Sequence, residues 1–174
     1  MKRLLFCLLP LLPITLQASG ILSLPVQQVE ADQVTFDEKS VHLKGNVKVV
    51  HEIGELRCEE GTLVLDKKHR QEGLGVDHIS LKKNVLIAFS NGSSLQSDEG
   101  EINCITLETV FRAEPPRKVI YISQAEQGTP PLKASGRALK ALIATSEGGG
   151  YALKSLKGEG AVNIEYLKKE EHHA

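Results

Sequence analysis

The stretch from Val41 to Val49, VHLKGNVKV, alternates apolar and polar residues without interruption. Because successive side chains of a β-strand point to opposite faces of the sheet, this pattern predicts a strand with one buried and one wet face. The motif returns from Ile79 to Ile87, where LKKNV replaces LKGNV, and from Leu156 to Ile164. A further run, Val119 to Ile122, keeps only the apolar residues. Copies of one strand favour a repeated β architecture.

A shorter pattern alternates with the first. It consists of an aliphatic residue, a small residue two places later, and a large apolar residue five places beyond the small one. The aliphatic residues are Val29, Leu56, Leu95 and Leu132, and the large apolar residues are Phe36, Leu63, Ile102 and Leu139. Together the two patterns predict a tandem of about four units, each two strands long, whose unequal lengths are absorbed in turns.

The first 19 residues are predicted to be a secretory signal peptide rather than part of the fold. Lys2 and Arg3 form a basic start, the segment from Leu4 to Leu16 is apolar, and Ala18 offers a small residue for cleavage. An uncleaved anchor is the rival interpretation, although the apolar run falls short of the ~20 residues that span a bilayer as a helix. A lipoprotein modified at Cys7 is a third, weaker one. We expect a β domain over residues 27–166 and a charged, flexible tail over residues 167–174.

Composition disfavours two classes of ligand. The formal net charge is −1, which offers no attraction for a phosphate backbone, so nucleic-acid binding is not expected. Aromatic residues make up 4% of the chain and tryptophan is absent, so few side chains can stack on bases or sugars. The apolar faces of the predicted strands consist instead of Val, Ile and Leu.

The sequence contains no recognisable catalytic or metal-binding set. GxSxG, HExxH and paired CxxC motifs are absent. His172 and His173 in the tail could bind a metal ion, but we interpret such binding as adventitious rather than as a designed site. The carboxylate pairs Glu59-Glu60 and Asp98-Glu99 occupy equivalent places in two units. They are therefore predicted to be solvated strand edges or turns rather than an acid and a base around one substrate. We expect no enzyme activity and no cofactor.

Two details of the predicted fold concern Cys58, Cys104 and the segment from Arg137 to Ala144. Export implies an oxidising compartment, but stacking the units in register places the two cysteines too far apart for a disulfide, so both are predicted to be small buried residues. The segment RALKALIA has a helix-favouring composition, whereas the internal alignment makes it a strand. We predict a strand.

The repeated strand motifs resemble those of a known family. A GNV strand followed by an aliphatic-x-small-acidic strand is similar to the organic-solvent-tolerance (OstA-like) domain of LptA-like periplasmic lipopolysaccharide-transport proteins. The matching pairs are Gly45-Asn46-Val47 with Leu56-x-Cys58-Glu59, and Asn84-Val85 with Leu95-x-Ser97-Asp98. The resemblance covers roughly residues 29–165. This sequence departs from it at Lys83, where the glycine is lost, in the missing motif of the fourth strand pair, and at Gly158-Glu159-Gly160.

The resemblance implies an all-β, V-shaped, jelly-roll-like fold (a β-taco) with two open sheets built from tandem strand pairs. It further implies that lipopolysaccharide is carried between the inner and outer membranes, with lipid A acyl chains held between the sheets. The residues expected on this inward, lipid-binding face are Phe36, Val47, Val49, Leu63, Val85, Ile87, Phe89 and Ile102. Implied partners are sibling Lpt-type domains or further copies, joined head to tail through edge strands. The alternatives are an LptC-like, inner-membrane-anchored component of the same exporter and a non-catalytic structural β-solenoid.

Overall fold

The computed structural model describes residues 26–65, 75–124, 130–145 and 150–167. The predicted signal peptide and nearly all of the predicted tail lie outside this range. The described residues form these strands: β1 (Val26–Glu30), β2 (Gln33–Phe36), β3 (Ser40–His51), β4 (Gly54–Leu65), β5 (Val76–Phe89), β6 (Ser94–Asn103), β7 (Glu108–Arg112), β8 (Val119–Ile122), β9 (Leu132–Gly136), β10 (Ala138–Thr145), β11 (Tyr151–Glu159) and β12 (Asn163–Tyr166). The prediction of an all-β chain is confirmed. Among the described residues, no helix is long and apolar enough to cross a bilayer.

The strands form two arms that meet at a fold line. Each of the pairings β3–β4, β4–β5 and β5–β6 has a shift in register near its middle. The front arm consists of the halves of β3 to β6 on one side of this line together with β2, β7, β10 and β11. The rear arm consists of the halves on the other side together with β1, β8, β9 and β12. The result is the predicted V-shaped, open, two-sheet fold.

The predicted repeat corresponds to successive passages of the chain across the fold line. The four units are β1–β3, β4–β5, β6–β8 and β9–β12, each of which runs from the rear arm to the front arm and back. All pairings between neighbouring strands are antiparallel. A meander of this kind needs only short turns at the outer ends of the arms.

Two residues in left-handed conformation turn each repeated motif strand across the fold line. Gly45 and Asn46 have φ of 76° and 46°, and Lys83 and Asn84 have φ of 63° and 54°. Such residues form bulges that bend a strand sharply. Lys83 therefore adopts the conformation of the glycine that it replaces. In the last unit the bend falls at Gly160 and Ala161, with φ of 70° and 46°, so the register there is displaced relative to the first unit.

The acidic residue of the preceding motif, in the same unit, fixes each of these bends. Asn46 Nδ2 donates a hydrogen bond to Asp32 Oδ2 over 3.0 Å, and Asn84 Nδ2 donates in the same way to Glu59. The asparagine of one motif thus binds the carboxylate of the other, which explains why the two motifs alternate along the chain.

A third acidic residue, Asp98, has a different partner. The chain passes from β7 to β8 through a loop, and Arg117 Nη1 from this loop lies 3.0 Å from Asp98 Oδ1. The Glu114 N–H donates to Asp98 Oδ2 over 2.7 Å, and Asp98 is buried. The prediction that this carboxylate is solvated is therefore wrong. The positive charge of Arg117 compensates the charge of the buried carboxylate, which a neutral asparagine, the partner of the other two acidic residues, could not do.

The core lies between the arms and consists mainly of aliphatic side chains. Leu56, Leu63, Ile79, Ile87 and Leu95, contributed by both arms, are fully buried in one continuous cluster. Cys58 and Cys104 are free and buried, as predicted. Burial raises the pKa of the Cys58 thiol to about 11 and that of Cys104 to about 12.

The segment from Ala138 to Thr145 is a strand, as the internal alignment predicted. β10 pairs with β7 on one side and with β11 on the other. Its side chains alternate between the core and the surface, with Leu139 and Ile143 buried and Lys140 exposed. Pairing on both sides outweighs the helix propensity of its residues, which is only a weak determinant of structure.

Candidate ligand groove

A groove of about 700 Å³ lies between the two arms at the end formed by the last strands. The rear arm contributes side chains from β8, β9 and β12, and the front arm contributes residues at the end of β10 and along β11. Its apolar lining residues are Tyr121, Leu132, Ala134, Ala144, Ala152, Leu153, Leu156, Ile164 and Tyr166. This volume is within the ~300–1,000 Å³ that small-molecule sites usually have.

A small side chain lies where the arms leave space. In the middle of the fold, the facing positions carry Leu, Ile and Val, which fill the interior. In the last unit Ala134 of β9 occupies such a position, since it lies opposite the buried Tyr121. Alanine fills much less of the distance between two facing sheets, which pack about 10 Å apart. The sequence of the last unit therefore opens a space that the earlier units fill.

An aromatic pair forms the inner end of the groove. The rings of Phe89 and Tyr121 meet edge to face, with centroids 6.4 Å apart and an interplanar angle of 77°. Both side chains are buried, and Tyr121 lines the groove. The pair thus lies between the groove and the filled interior.

The rim of the groove includes a contact between the arms. Asn91, in the turn between β5 and β6 of the rear arm, is a lining residue. Its N–H donates to the carbonyl of Tyr151, the first residue of β11, over 3.3 Å. The Tyr151 N–H donates to Ser90 Oγ over 2.7 Å. These bonds connect the two arms on the side opposite the fold line.

The structure separates the predicted inward residues into two groups. Seven of them are buried in the filled interior: Val47, Val49, Leu63, Val85, Ile87, Phe89 and Ile102. Phe36 shares their face, because it pairs with the buried Val41, but it is 65% exposed. No described strand lies beyond β2, so none of the described strands covers this ring. That these eight residues bind lipid stays a prediction.

Sequence reasoning did not identify the residues that line the groove. The apolar run from Val119 to Ile122 and the last copy of the motif were both recognised, yet neither was assigned an inward face. The pairing of β8, β9 and β12 could have identified Tyr121, Leu132 and Ile164 as lining residues. Tyr121 lies opposite Ala134, and Ala134 lies opposite Ile164. Directly opposed residues in antiparallel strands share a face.

On the outer face of the front arm, His78 and Ser80 both bind Glu101 rather than each other. His78 Nε2 contacts Glu101 Oε2, and Ser80 Oγ donates to the other oxygen of the same carboxylate over 3.0 Å. Nucleophilic catalysis by serine needs a hydrogen bond from its hydroxyl to the base. Here the carboxylate holds the serine and the histidine side by side. Within the described ranges, no three His, Cys, Asp or Glu side chains are grouped to hold a metal ion.

The comparisons with known proteins identify the fold but not a family. No protein-family model matches the sequence, and no curated protein matches it. Among solved structures, the chain is similar to LptH from Pseudomonas aeruginosa, described as the LptA homologous periplasmic component of the conserved lipopolysaccharide transport device. The TM-score is 0.58 with 12% sequence identity, over 83% of this chain and 96% of that chain. The two proteins share the LptA-like β-taco fold, and the neighbour is a transport component rather than an enzyme.

Proposed function

We propose that this chain is a periplasmic lipopolysaccharide-binding transport protein that carries lipid A between the inner and outer membranes for outer-membrane assembly. The observation that carries the proposal is an apolar groove between the two arms of an LptA-like fold. The fold alone does not define a function, so the proposal depends on the chemistry of this site. Most of its lining residues are aliphatic or aromatic and suit hydrocarbon, while polar side chains, among them that of Lys154, line the remainder.

The hydrophobic effect supplies the binding energy for an acyl chain in such a groove. Each methylene group removed from water contributes about 0.8 kcal/mol. Small-molecule sites bury most of an apolar ligand and fix its orientation with a few polar groups. Leu132 and Leu153 offer apolar contacts from the two arms, and Ser123 and Gln124 line the same groove with polar groups.

The partners that we propose are sibling Lpt-type β domains or further copies of this chain, joined head to tail. At one end of the fold, β2 exposes Val34 and Phe36; at the other end, β12 exposes Ile164 and Tyr166. No described strand pairs with the outer edge of either strand. Unpaired N–H and C=O groups at a sheet edge are a template for strand addition.

The location in the periplasm rests on the predicted signal peptide together with the fold. A mature chain that begins near residue 19 supports the soluble carrier. An intact N-terminus in the membrane fraction would instead support the anchored, LptC-like alternative. N-terminal sequencing of the purified protein distinguishes the two.

Photocrosslinking combined with mass spectrometry tests the proposed cargo. A photoreactive phenylalanine analogue replaces Tyr166, an exposed lining residue, and in a matched variant replaces Leu86, an exposed apolar residue on the outer face of the rear arm. We expect lipopolysaccharide to be captured at position 166 and not at position 86. Equal capture at both positions, or protein that purifies without lipopolysaccharide and captures none, would contradict the proposal and leave the structural β-solenoid.

A further inference from the structure

Four neighbouring strands, β2 to β5, present polar side chains on the outer face of the front arm. Directly opposed residues of antiparallel strands share a face, so the pairings arrange these side chains in rows. The row nearest the fold line is Gln33, Lys44, Glu60 and Lys82, and the next row includes Thr35 and Thr62. Together they line a concave site of about 410 Å³, which we call the outer site. It shares no lining residue with the groove between the arms.

The two lysines of the outer site flank a carboxylate that is bound elsewhere. Glu60 Oε1 lies 2.7 Å from Nζ of Lys83, which belongs to the bend and does not line the site. Within the described ranges, neither Lys44 nor Lys82 forms an ion pair with any carboxylate, including that of Glu99, which lies opposite Lys82 in β6. Both lysine side chains are exposed. Two positive charges are therefore available to a ligand.

The other groups around the outer site are neutral donors or already have partners. Gln33 and Thr35 are exposed and offer an amide and a hydroxyl from β2. Thr62 Oγ1 lies 3.3 Å from Nδ1 of His42, whose Nε2 lies 3.0 Å from Asp37 Oδ2. Two backbone N–H groups of the same turn donate to the other oxygen of Asp37. The Asp37 carboxylate therefore does not compete for the lysines.

We propose that the outer site binds a phosphate group, with Lys44 and Lys82 on opposite sides of it. Neighbouring strands lie about 4.8 Å apart, so the two lysines, which are separated by one strand, begin about 10 Å apart and can converge on one anion. A phosphate ester carries a charge of about −1.5 to −2 and three acceptor oxygens, which the two ammonium groups and the donors of Gln33 and Thr35 match. The net charge of −1 gives the chain no general attraction for phosphate, so the attraction comes from this local pair of lysines. The inference does not depend on the proposed function of the groove.

Titration calorimetry with glucose 1-phosphate tests the outer site. We expect Lys44→Gln combined with Lys82→Gln to weaken binding at least about tenfold, because both charge-assisted hydrogen bonds are lost. Lys118→Gln combined with Lys157→Gln removes the same charge from exposed lysines outside the site and should change the affinity by less than about twofold. Methyl glucoside, which lacks the phosphate, should not bind. Equal weakening by the two pairs of substitutions, or equal binding of methyl glucoside, would overturn the proposal.

Vesicles distinguish a phosphate in a lipid head group from one in a soluble ester. Wild type that sediments with phosphatidylcholine vesicles only when they contain phosphatidic acid, and loses this in the variant of Lys44 and Lys82, binds the lipid head group. Binding of glucose 1-phosphate without sedimentation identifies a soluble ester. If neither probe binds in a way that depends on the two lysines, the site does not bind phosphate and the proposal is overturned.

A gain of affinity provides a second test, which loss of folding cannot imitate. Glu60→Gln removes the negative charge that lies between Lys44 and Lys82 in the row. We expect this variant to bind the phosphate probe at least about threefold more tightly than wild type, because a phosphate at this position is repelled by the carboxylate. Unchanged or weaker binding would show that the phosphate does not lie between the two lysines and would overturn the proposal. None of these outcomes bears on ligand binding in the groove, which lies between the arms.

Discussion

The rings of Tyr121 and Phe89 meet edge to face with 6.4 Å between their centroids, and this pair separates a filled core from an open groove. Phe89 belongs to β5, in the second repeat unit, and Tyr121 to β8, in the third. Edge-to-face pairs contribute about 0.5–1.5 kcal/mol beyond the apolar area that they bury. The two rings therefore form a stable boundary, and the side chains on its two sides differ in their effect on stability.

Two phenylalanines predicted to share one role should respond differently to truncation. Phe89→Ala removes a buried ring, which is 3% exposed, and we expect it to lower the free energy of unfolding by about 3–5 kcal/mol. Phe36→Ala removes a ring that is 65% exposed and should change stability by less than about 0.5 kcal/mol. Urea denaturation measures both. Equal losses would show that Phe36 is covered in the free protein.

Ser97 carries a buried hydroxyl that has no hydrogen-bond partner in the described part of the chain. An unsatisfied buried polar group costs about 1–3 kcal/mol, so Ser97→Ala should stabilise the protein, by about 1 kcal/mol. Thr109→Val is the matched comparison, because Thr109 Oγ1 donates to the Ala141 carbonyl over 3.1 Å in an equally buried setting. We expect that variant to lose about 1 kcal/mol. Urea midpoints that fall for both variants would indicate that Ser97 has a partner, such as a buried water.

The repeat made the fold predictable, because the alternation within each strand and the return of the motifs indicated the same strands. The alternation of Val41 to Val49 indicates a strand and its inner face, and the return of the motif in β5 indicates the next repeat unit, with β4 between the two strands. The bond from Asn84 to Glu59 repeats the bond from Asn46 to Asp32, so the two motifs mark the fold line itself. The same alignment correctly predicted β10 as a strand against its helix-favouring composition.

The groove was not predicted, because it depends on what the last unit lacks. Ala134 matches the period of a strand as well as Val or Leu does, so the pattern cannot distinguish a filled interior from an open one. The partner of Asp98 was also hidden, since Arg117 lies in a loop outside the repeat. Both features depend on pairings between distant segments, which one sequence does not specify.

The bends at the fold line should tolerate substitution unequally. Gly45→Ala places a Cβ closer to Asp32 Oδ2 than van der Waals contact allows, in a left-handed conformation, and moving Asp32 would break its bond with Asn46. The left-handed conformation alone costs an L-residue about 1–2 kcal/mol, so we expect a loss of at least that size. Lys83→Ala, at the equivalent bend, keeps a non-glycine residue and loses only an exposed ion pair, which contributes little to stability. Thermal unfolding of the two variants gives the comparison, and a larger loss for Lys83→Ala would contradict the assigned bend.

The ion pair between Lys83 and Glu60 predicts how stability depends on pH. Lys83 Nζ lies 2.7 Å from Glu60 Oε1, and this hydrogen bond and charge hold the pKa of the Glu60 carboxyl below its usual value of 4.5. A carboxyl whose pKa is lower in the folded state stabilises the protein above the unfolded-state pKa, and this contribution is lost as the pH falls through the folded-state value. Lys83→Met removes the partner. We therefore expect wild type to have a higher Tm than the variant at pH 6–7, by an amount that shrinks steadily below about pH 4.5. A Tm difference that stays constant from pH 7 to pH 3 would show that the lysine contributes through packing rather than through its charge.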